Sequence, residues 1–80
     1  MYYTYILKSQ KNNKYYIGST SDLNKRFNEH NAGKVKSTKL YIPWDIYYFE
    51  KFNSQKHAIL RESQIKAWKK RSMIEKLKSK

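Results

Sequence analysis

The sequence predicts a small α+β domain: a three-stranded antiparallel sheet flanked by helices, in the order β-β-α-β-α-α. Three observations predict it. Two runs rich in tyrosine and isoleucine, Tyr2 to Lys8 and Tyr15 to Ser19, are separated by the polar stretch "SQKNNK". Together they read as a hairpin with a long turn. A third aromatic run, "DIYYFEKF" at Asp45 to Phe52, reads as another strand. The segments between and after these strands carry apolar residues at helical spacing, preceded by capping residues. Strands joined by a hairpin pair antiparallel, and helices must cover such a sheet to bury its apolar face. Eighty residues make one domain, 1–80.

Each element has a local cause. In the first strand Tyr3, Tyr5 and Leu7 share one face, and Tyr2, Thr4 and Ile6 the other. In the second, Tyr16 and Gly18 lie opposite Tyr15 and Ile17. The hairpin can therefore set Tyr5 and Tyr16 side by side. Gly18 allows a bend or a close approach. "STSD", Ser19 to Asp22, starts a helix with Thr20 or Ser21 as cap and Asp22 at the positive end of the dipole. That helix runs to about Asn31, and Gly33 stops it. "KVKSTKLYIPW", Lys34 to Trp44, reads as a basic loop. Ser54 caps a second helix over Gln55 to Trp68. "KKRS" breaks it, and Ser72 to Lys78 forms a last short helix held by Ile74 and Leu77.

Composition narrows the function. Eighteen Lys/Arg against six Asp/Glu give a net charge of +12, scattered along the whole chain. Such an excess suits a polyanion whose condensed counterions are released on binding. An anionic membrane surface would favour one long basic amphipathic helix instead. No stretch reaches the ~18 apolar residues of a membrane span. There is no cysteine, so disulfides and thiolate zinc sites are excluded. The expectation is a soluble, unexported, cytoplasmic protein. Eight tyrosines among thirteen aromatic residues suggest work beyond packing.

Two polar intrusions on apolar faces mark candidate chemistry. On the first helix Leu23 and Phe27 define the core-facing stripe. At about 100° per residue, His30 falls within about 20° of Leu23 and Arg26 within about 60°. Lys25 and Glu29 fall on the opposite side. Arg26 offers a planar fork for phosphate oxygens, and His30 a proton carrier near neutral pH. Each taken alone also fits a snorkelling arginine or a satisfied core histidine. On the second helix Glu62 lies between Ala58 and Ile65 on the apolar stripe. A carboxylate there needs a partner. Arg61, Lys66 or Arg26 could pair with it, or it could hold a hard cation such as Mg²⁺. The phenols of Tyr5 and Tyr16 could serve as bases beside a cation. The two histidines are not at zinc spacing, and there is no phosphate-cradling glycine loop or nucleophile elbow.

Taken together, "YTYIL" at Tyr3 to Leu7, "YYIGST" at Tyr15 to Thr20, "LNKRFNEH" at Leu23 to His30 and "AILRESQIK" at Ala58 to Lys66 resemble the GIY-YIG nuclease family. The likeness is to its small stand-alone bacterial members similar to the UvrC N-terminal domain. Tyr5 matches the GIY tyrosine and Tyr16 the YIG tyrosine. Arg26, His30 and Glu62 match the family arginine, histidine and metal-binding glutamate. Tyr3 and Thr4 replace the glycine and isoleucine of GIY. Ser19 stands where a lysine often follows YIG, and no asparagine follows Glu62.

The resemblance implies the GIY-YIG endonuclease fold and hydrolysis of DNA phosphodiesters, in branched, single-stranded or damaged DNA, with RNA as another possible substrate. It implies Mg²⁺ or Mn²⁺ as cofactor, with Glu62 as its ligand and Tyr5, Tyr16, Arg26, His30 and Glu62 as the catalytic set. Lys34, Lys36, Lys39, Lys66 and Lys69 are the expected nucleic-acid contacts of a monomer. A non-catalytic or weakly active nucleic-acid-binding module, or an accessory protein on a larger RNA complex, would carry the same charge.

Overall fold

The computed structural model describes residues 1–78. Its elements are β1 (Tyr2–Ser9), β2 (Tyr15–Thr20), α1 (Leu23–Asn31), β3 (Trp44–Phe52), α2 (Gln55–Trp68) and α3 (Arg71–Lys78). The sheet order is β2-β1-β3, with both pairings antiparallel. The central strand is the most buried: Thr4, Tyr5, Ile6 and Leu7 in succession are shielded from solvent. β2 and β3 form the edges, so the connection from β2 through α1 to β3 crosses over β1.

Alternation along β1 divides the interior into two clusters. On one face Tyr5 and Leu7 pack with Trp44, joined by Leu23 and Phe27 of α1 and by Tyr16. On the other face Ile6 packs with Ile65 of α2 and Ile74 of α3, joined by Ile17 and Leu77. The sheet is thus sandwiched, with α1 on one side and α2 and α3 on the other.

Polar contacts fix the helices to the strands. Thr4 Oγ1 donates to the Ala58 carbonyl at 2.7 Å, which seats α2. Asn31 at the end of α1 clamps Trp44, accepting from its N–H at 2.7 Å and donating to its carbonyl at 3.0 Å. The Arg61 guanidinium reaches across to Glu50 on β3 at 3.0 Å. Arg71 donates to the Asn13 carbonyl at 2.7 Å, tying α3 to the hairpin turn.

Four local expectations change. The cap of α1 is Asp22, whose carboxylate accepts from the Lys25 N–H at 3.1 Å, and not Thr20 or Ser21. The reason is that β2 continues through Thr20, which pairs with Tyr3, so the helix cannot begin earlier. Strand β3 starts at Trp44, one residue earlier than Asp45, because Trp44 still pairs with Ser9. Helix α3 starts at Arg71 and not Ser72. The basic loop contains a 3₁₀ turn at Lys39–Tyr41. Ser54 caps α2 as expected, accepting from the His57 N–H. Lys69, which follows the helix as its C-terminal cap, takes a left-handed conformation with φ 55°, which ends α2 and redirects the chain into α3.

Removing the cap tests its assignment. Asp22→Ala is expected to lower the unfolding free energy by about 1 kcal/mol in urea titration, whereas Ser21→Ala should change it by less than about 0.5 kcal/mol.

Candidate active site

The site begins with a buried hydrogen bond. Helix α1 turns its Leu23–Phe27–His30 stripe to the sheet, and His30 is fully buried there. Its Nε2 lies 2.9 Å from the Tyr5 hydroxyl at the centre of β1. Its Nδ1 lies 2.8 Å from Thr38 Oγ1, and that hydroxyl donates to the Val35 carbonyl at 3.3 Å. The Thr38 hydroxyl has one proton, directed at Val35. It therefore accepts from Nδ1–H, and the neutral ring presents a bare Nε2 to Tyr5. The chain of donors runs Tyr5 to His30 to Thr38 to Val35. Trp44 holds its far end, its indole N–H donating to the Thr38 carbonyl at 3.0 Å.

Gly18 makes room for this arrangement. It pairs with Tyr5 in the β1–β2 register. A Cβ built there would lie 2.6 Å from the Tyr5 hydroxyl and 2.7 Å from the ring carbon that bears it. The close approach foreseen at Gly18 is therefore that of the Tyr5 phenol. Tyr16 pairs with Leu7, two residues along β1 from Tyr5, so the two phenols are diagonal neighbours on one face. Their ring centroids are 6.4 Å apart, and the Tyr16 ring lies 5.0 Å from the His30 ring.

Electrostatics follow from burial. Desolvation raises the Tyr5 pKa to about 12, opposed by the neighbouring Arg26 guanidinium and reinforced by Tyr16 and Glu62. Desolvation and the positive charge of Arg26 lower the His30 pKa to about 4. His30 is thus neutral at pH 7. The expectation of a group titrating near neutrality gives way to an imidazole held as a hydrogen-bond acceptor, because its site excludes water and already contains a cation.

Arg26 stands one turn before His30, at the surface end of the same flank. Its Nη1 contacts Glu29 Oε1 at 3.2 Å, and its side chain is 39% exposed. Glu29 does not sit apart on the solvent side: the i, i+3 spacing returns it to the guanidinium. Arg26 opens into a depression of about 490 Å³ bounded by Ser19 to Asp22, Lys25 and Glu29.

Glu62 approaches from the other face of the sheet. Ala58 and Ile65 beside it are buried, which aims it at the sheet. Its Oε1 accepts from Ser19 Oγ on edge strand β2 at 2.7 Å, and its Oε2 pairs with Lys66 Nζ at 2.7 Å. Of the three cations considered as partners for Glu62, Lys66 is the one it takes, while Arg61 is held by Glu50 and Arg26 by Glu29. Tyr5 Oη and Glu62 belong to opposite faces, and Glu62 adds only the weakest of the influences on the Tyr5 pKa; Ser19, which bonds Glu62 and lines the depression at Arg26, links the two sides.

The structure therefore gathers Tyr5, Tyr16, Arg26 and His30 on the α1 side, with Glu62 reaching the same strand edge from the α2 side. The five lysines stand in two groups, all exposed. Lys34, Lys36 and Lys39 lie on the loop after α1, and Lys66 and Lys69 at the end of α2. Thr38, which holds His30, is not marked by the sequence, and Ser19, which holds Glu62, stands out there as the residue in place of a lysine after YIG. Each is a small hydroxyl residue in a loop or edge strand, where no periodicity points to a partner.

Among the described residues no three His, Cys, Asp or Glu side chains cluster. The donor set is one carboxylate beside one serine hydroxyl. That set suits a hard cation that retains most of its waters, and not a closed nitrogen or sulfur site.

The fold is that of the nuclease superfamily whose catalytic domain is named for its two tyrosine motifs. The family model of the GIY-YIG catalytic domain matches residues 1–78, and the chain belongs to that family. Its relatives are small bacterial proteins. The chain is 38% identical over 74 residues to a UPF0213 protein of Staphylococcus haemolyticus, covering 91% of this chain and 89% of that one. It is 38% identical over 68 residues to a UPF0213 protein of Bacillus pumilus, covering 84% and 68%. The solution NMR structure of the UPF0213 protein BH0048 from Bacillus halodurans is similar with a TM-score of 0.61 and 31% identity, over 99% of this chain and 84% of that one.

Two measurements test the buried hydrogen bond. Gly18→Ala drives a methyl into the Tyr5 ring and is expected to cost about 1–3 kcal/mol of stability in chemical denaturation. The His30 pKa is lower folded than unfolded, so between pH 6.5 and about 4 the unfolded chain binds more protons. This component of stability is complete above pH 6.5 and is lost as the pH falls toward 4. Urea midpoints across that range should decline less steeply in His30→Gln than in the parent.

Proposed function

We propose that the domain is a divalent-metal-dependent endonuclease that hydrolyses phosphodiester bonds in branched, single-stranded or damaged DNA, with RNA as a further substrate. It would act as a monomer in the reducing cytosol. The observation that carries this reading is Ser19 on the β2 edge, which bonds Glu62 from one side and lines the depression into which Arg26 opens on the other, in a chain of net charge +12. Family membership supports the reaction class.

In this reading Arg26 donates to the non-bridging oxygens of the scissile phosphate and stabilises their growing charge. The Tyr5 proton points at His30 Nε2, and the phenol oxygen turns its lone pairs toward the Arg26 guanidinium and the open side. The attacking water gives its proton to that oxygen as the Tyr5 proton passes to Nε2. The imidazolium, with its pKa near 4 and both nitrogens engaged, then returns the Nε2 proton to Tyr5 Oη as that oxygen passes the water-derived proton to the leaving oxygen. Thr38 keeps Nδ1–H engaged throughout, so the ring cannot turn. Tyr16, packed against the same imidazole, is the second candidate for the accepting phenol. Glu62 would hold Mg²⁺ or Mn²⁺, with Ser19 steadying one of its oxygens and Lys66 withdrawing from the other. When bound, the ion supplies charge neutralisation at the phosphate.

One observation favours a second reading, a nucleic-acid-binding module without catalysis. Both Glu62 oxygens are already engaged by Ser19 and Lys66. The two readings separate on metal and mutation. Glu62→Ala should abolish Mg²⁺- or Mn²⁺-dependent cleavage of a panel of flaps, forks and overhangs while affinity stays within a few-fold. Arg26→Ala should slow cleavage by about 10²–10³. A clean preparation that cuts neither DNA nor RNA with either metal establishes the binding-module reading.

A further inference from the structure

A second concavity lies on the other side of the β2 edge. It has a volume of about 270 Å³ between β2 and the α2–α3 turn. Its floor is apolar: Ile17 from β2 and the Tyr15 ring, both half-buried, form the open part, over the buried Ile65 of α2 and Ile74 of α3. Its rim is basic. Lys66, Lys69 and Lys70 project at the turn, and Glu75 lies beside it, bonded to the Tyr15 hydroxyl and paired with Arg71. The left-handed backbone at Lys69 ends α2 and sets these lysines around the opening. Arg71 closes the far end, stacked 4.7 Å from the Tyr15 ring and bonded to the Asn13 carbonyl. Lys66 belongs to both places, since it lines this groove and also contacts Glu62.

An apolar floor with a cationic rim fits a ligand that is flat and apolar at one end and anionic at the other. An unpaired nucleotide has this form: its base needs a surface to cover it, and its phosphate needs lysines. A duplex would present only its phosphates, with its bases already stacked. A lipid surface would need an exposed apolar face, but here the apolar atoms are recessed below the charges.

Resting on the nuclease reading, we propose that this groove is a subsite for one unpaired nucleotide next to the scissile phosphate. The base lies on Ile17 and the Tyr15 ring, above the buried Ile65 and Ile74, and the adjoining phosphates meet Lys69 and Lys70. Lys66 links the subsite to Glu62. The enzyme would thereby require an unpaired nucleotide on one side of the bond it cuts.

Isoleucine methyl NMR tests this on the full chain with the Glu62→Ala variant, which prevents cleavage. The probes are a single-stranded thymidine trinucleotide, the same oligomer with its central base removed, and a blunt duplex. The trinucleotide should shift the methyls of Ile17, Ile65 and Ile74 and show contacts between its base and those methyls. The abasic oligomer and the duplex should leave the methyls in place. The double substitution Lys69→Glu with Lys70→Glu should weaken trinucleotide binding at least tenfold, with the circular dichroism spectrum and Tm unchanged.

Equal methyl shifts with the abasic oligomer would reduce the groove to a phosphate contact and overturn the proposal. So would still methyls while the amides of Gly18 and Arg26 respond, an outcome that leaves the nuclease reading standing. If neither set responds to any probe, the nucleic-acid reading of the whole site falls with it.

Discussion

The hydrogen bond from the Tyr5 hydroxyl to His30 is the constraint on which the rest of the structure depends. It lies where the central strand meets α1, and both residues are almost completely removed from water. A buried hydroxyl and a buried imidazole each need a partner, and leaving either without one costs about 1–3 kcal/mol. Each is the partner of the other. The bond therefore fixes the rotation of α1 against the sheet, and with it the position of Arg26 one turn away. It also fixes what β2 can carry opposite Tyr5. That residue has no side chain, because the phenol occupies the space a Cβ would take.

The second organising feature is the exposed edge of β2. Three strands leave two edges, and an unpaired edge usually has to be protected from other strands. Here residues from both faces converge on it. Arg26 lies beside it from α1, while Ser19 binds Glu62 from α2. The basic groove with its isoleucine floor runs along the same strand. Groups that belong to different layers of the sandwich can thus act on one extended ligand, although no cleft cuts through the core.

Charge distribution supports that view. All six acidic residues have local duties. Asp22 caps α1, and Asp45 accepts from Gln10. Glu29, Glu50, Glu62 and Glu75 face Arg26, Arg61, Lys66 and Arg71. The remaining cations carry a field that attracts polyanions from a distance and weakens as salt rises. Glu62 differs from the other acids in its placement. It sits within an apolar helix stripe, a costly position for a carboxylate, and is held there by the Ser19 hydroxyl of the edge strand and by Lys66 four residues on.

Much of this was legible in the sequence, because it rests on periodicity and local chemistry. Alternation placed Tyr5 and Leu7 opposite Thr4 and Ile6. Helical spacing put His30 on the buried face of α1 and Glu62 between Ala58 and Ile65. Ser54 and the turn after Trp68 marked the limits of α2. The cap of α1 was not legible, since "STSD" offers several capping residues and the choice depends on how far β2 pairs with β1. Nor was the protonation state of His30, which needs the burial and the neighbouring guanidinium that only packing supplies. The contacts of Thr38 and Ser19 stayed hidden because their partners are on other elements. What the sequence by itself determined is the element order, the faces and the residue types brought to them, all of which follow from neighbours along the chain. Tertiary structure alone decided that β1 is central, that Glu62 reaches Ser19 around the sheet edge, and that Tyr5 donates to a neutral imidazole, because each depends on groups distant in sequence competing for the same buried space.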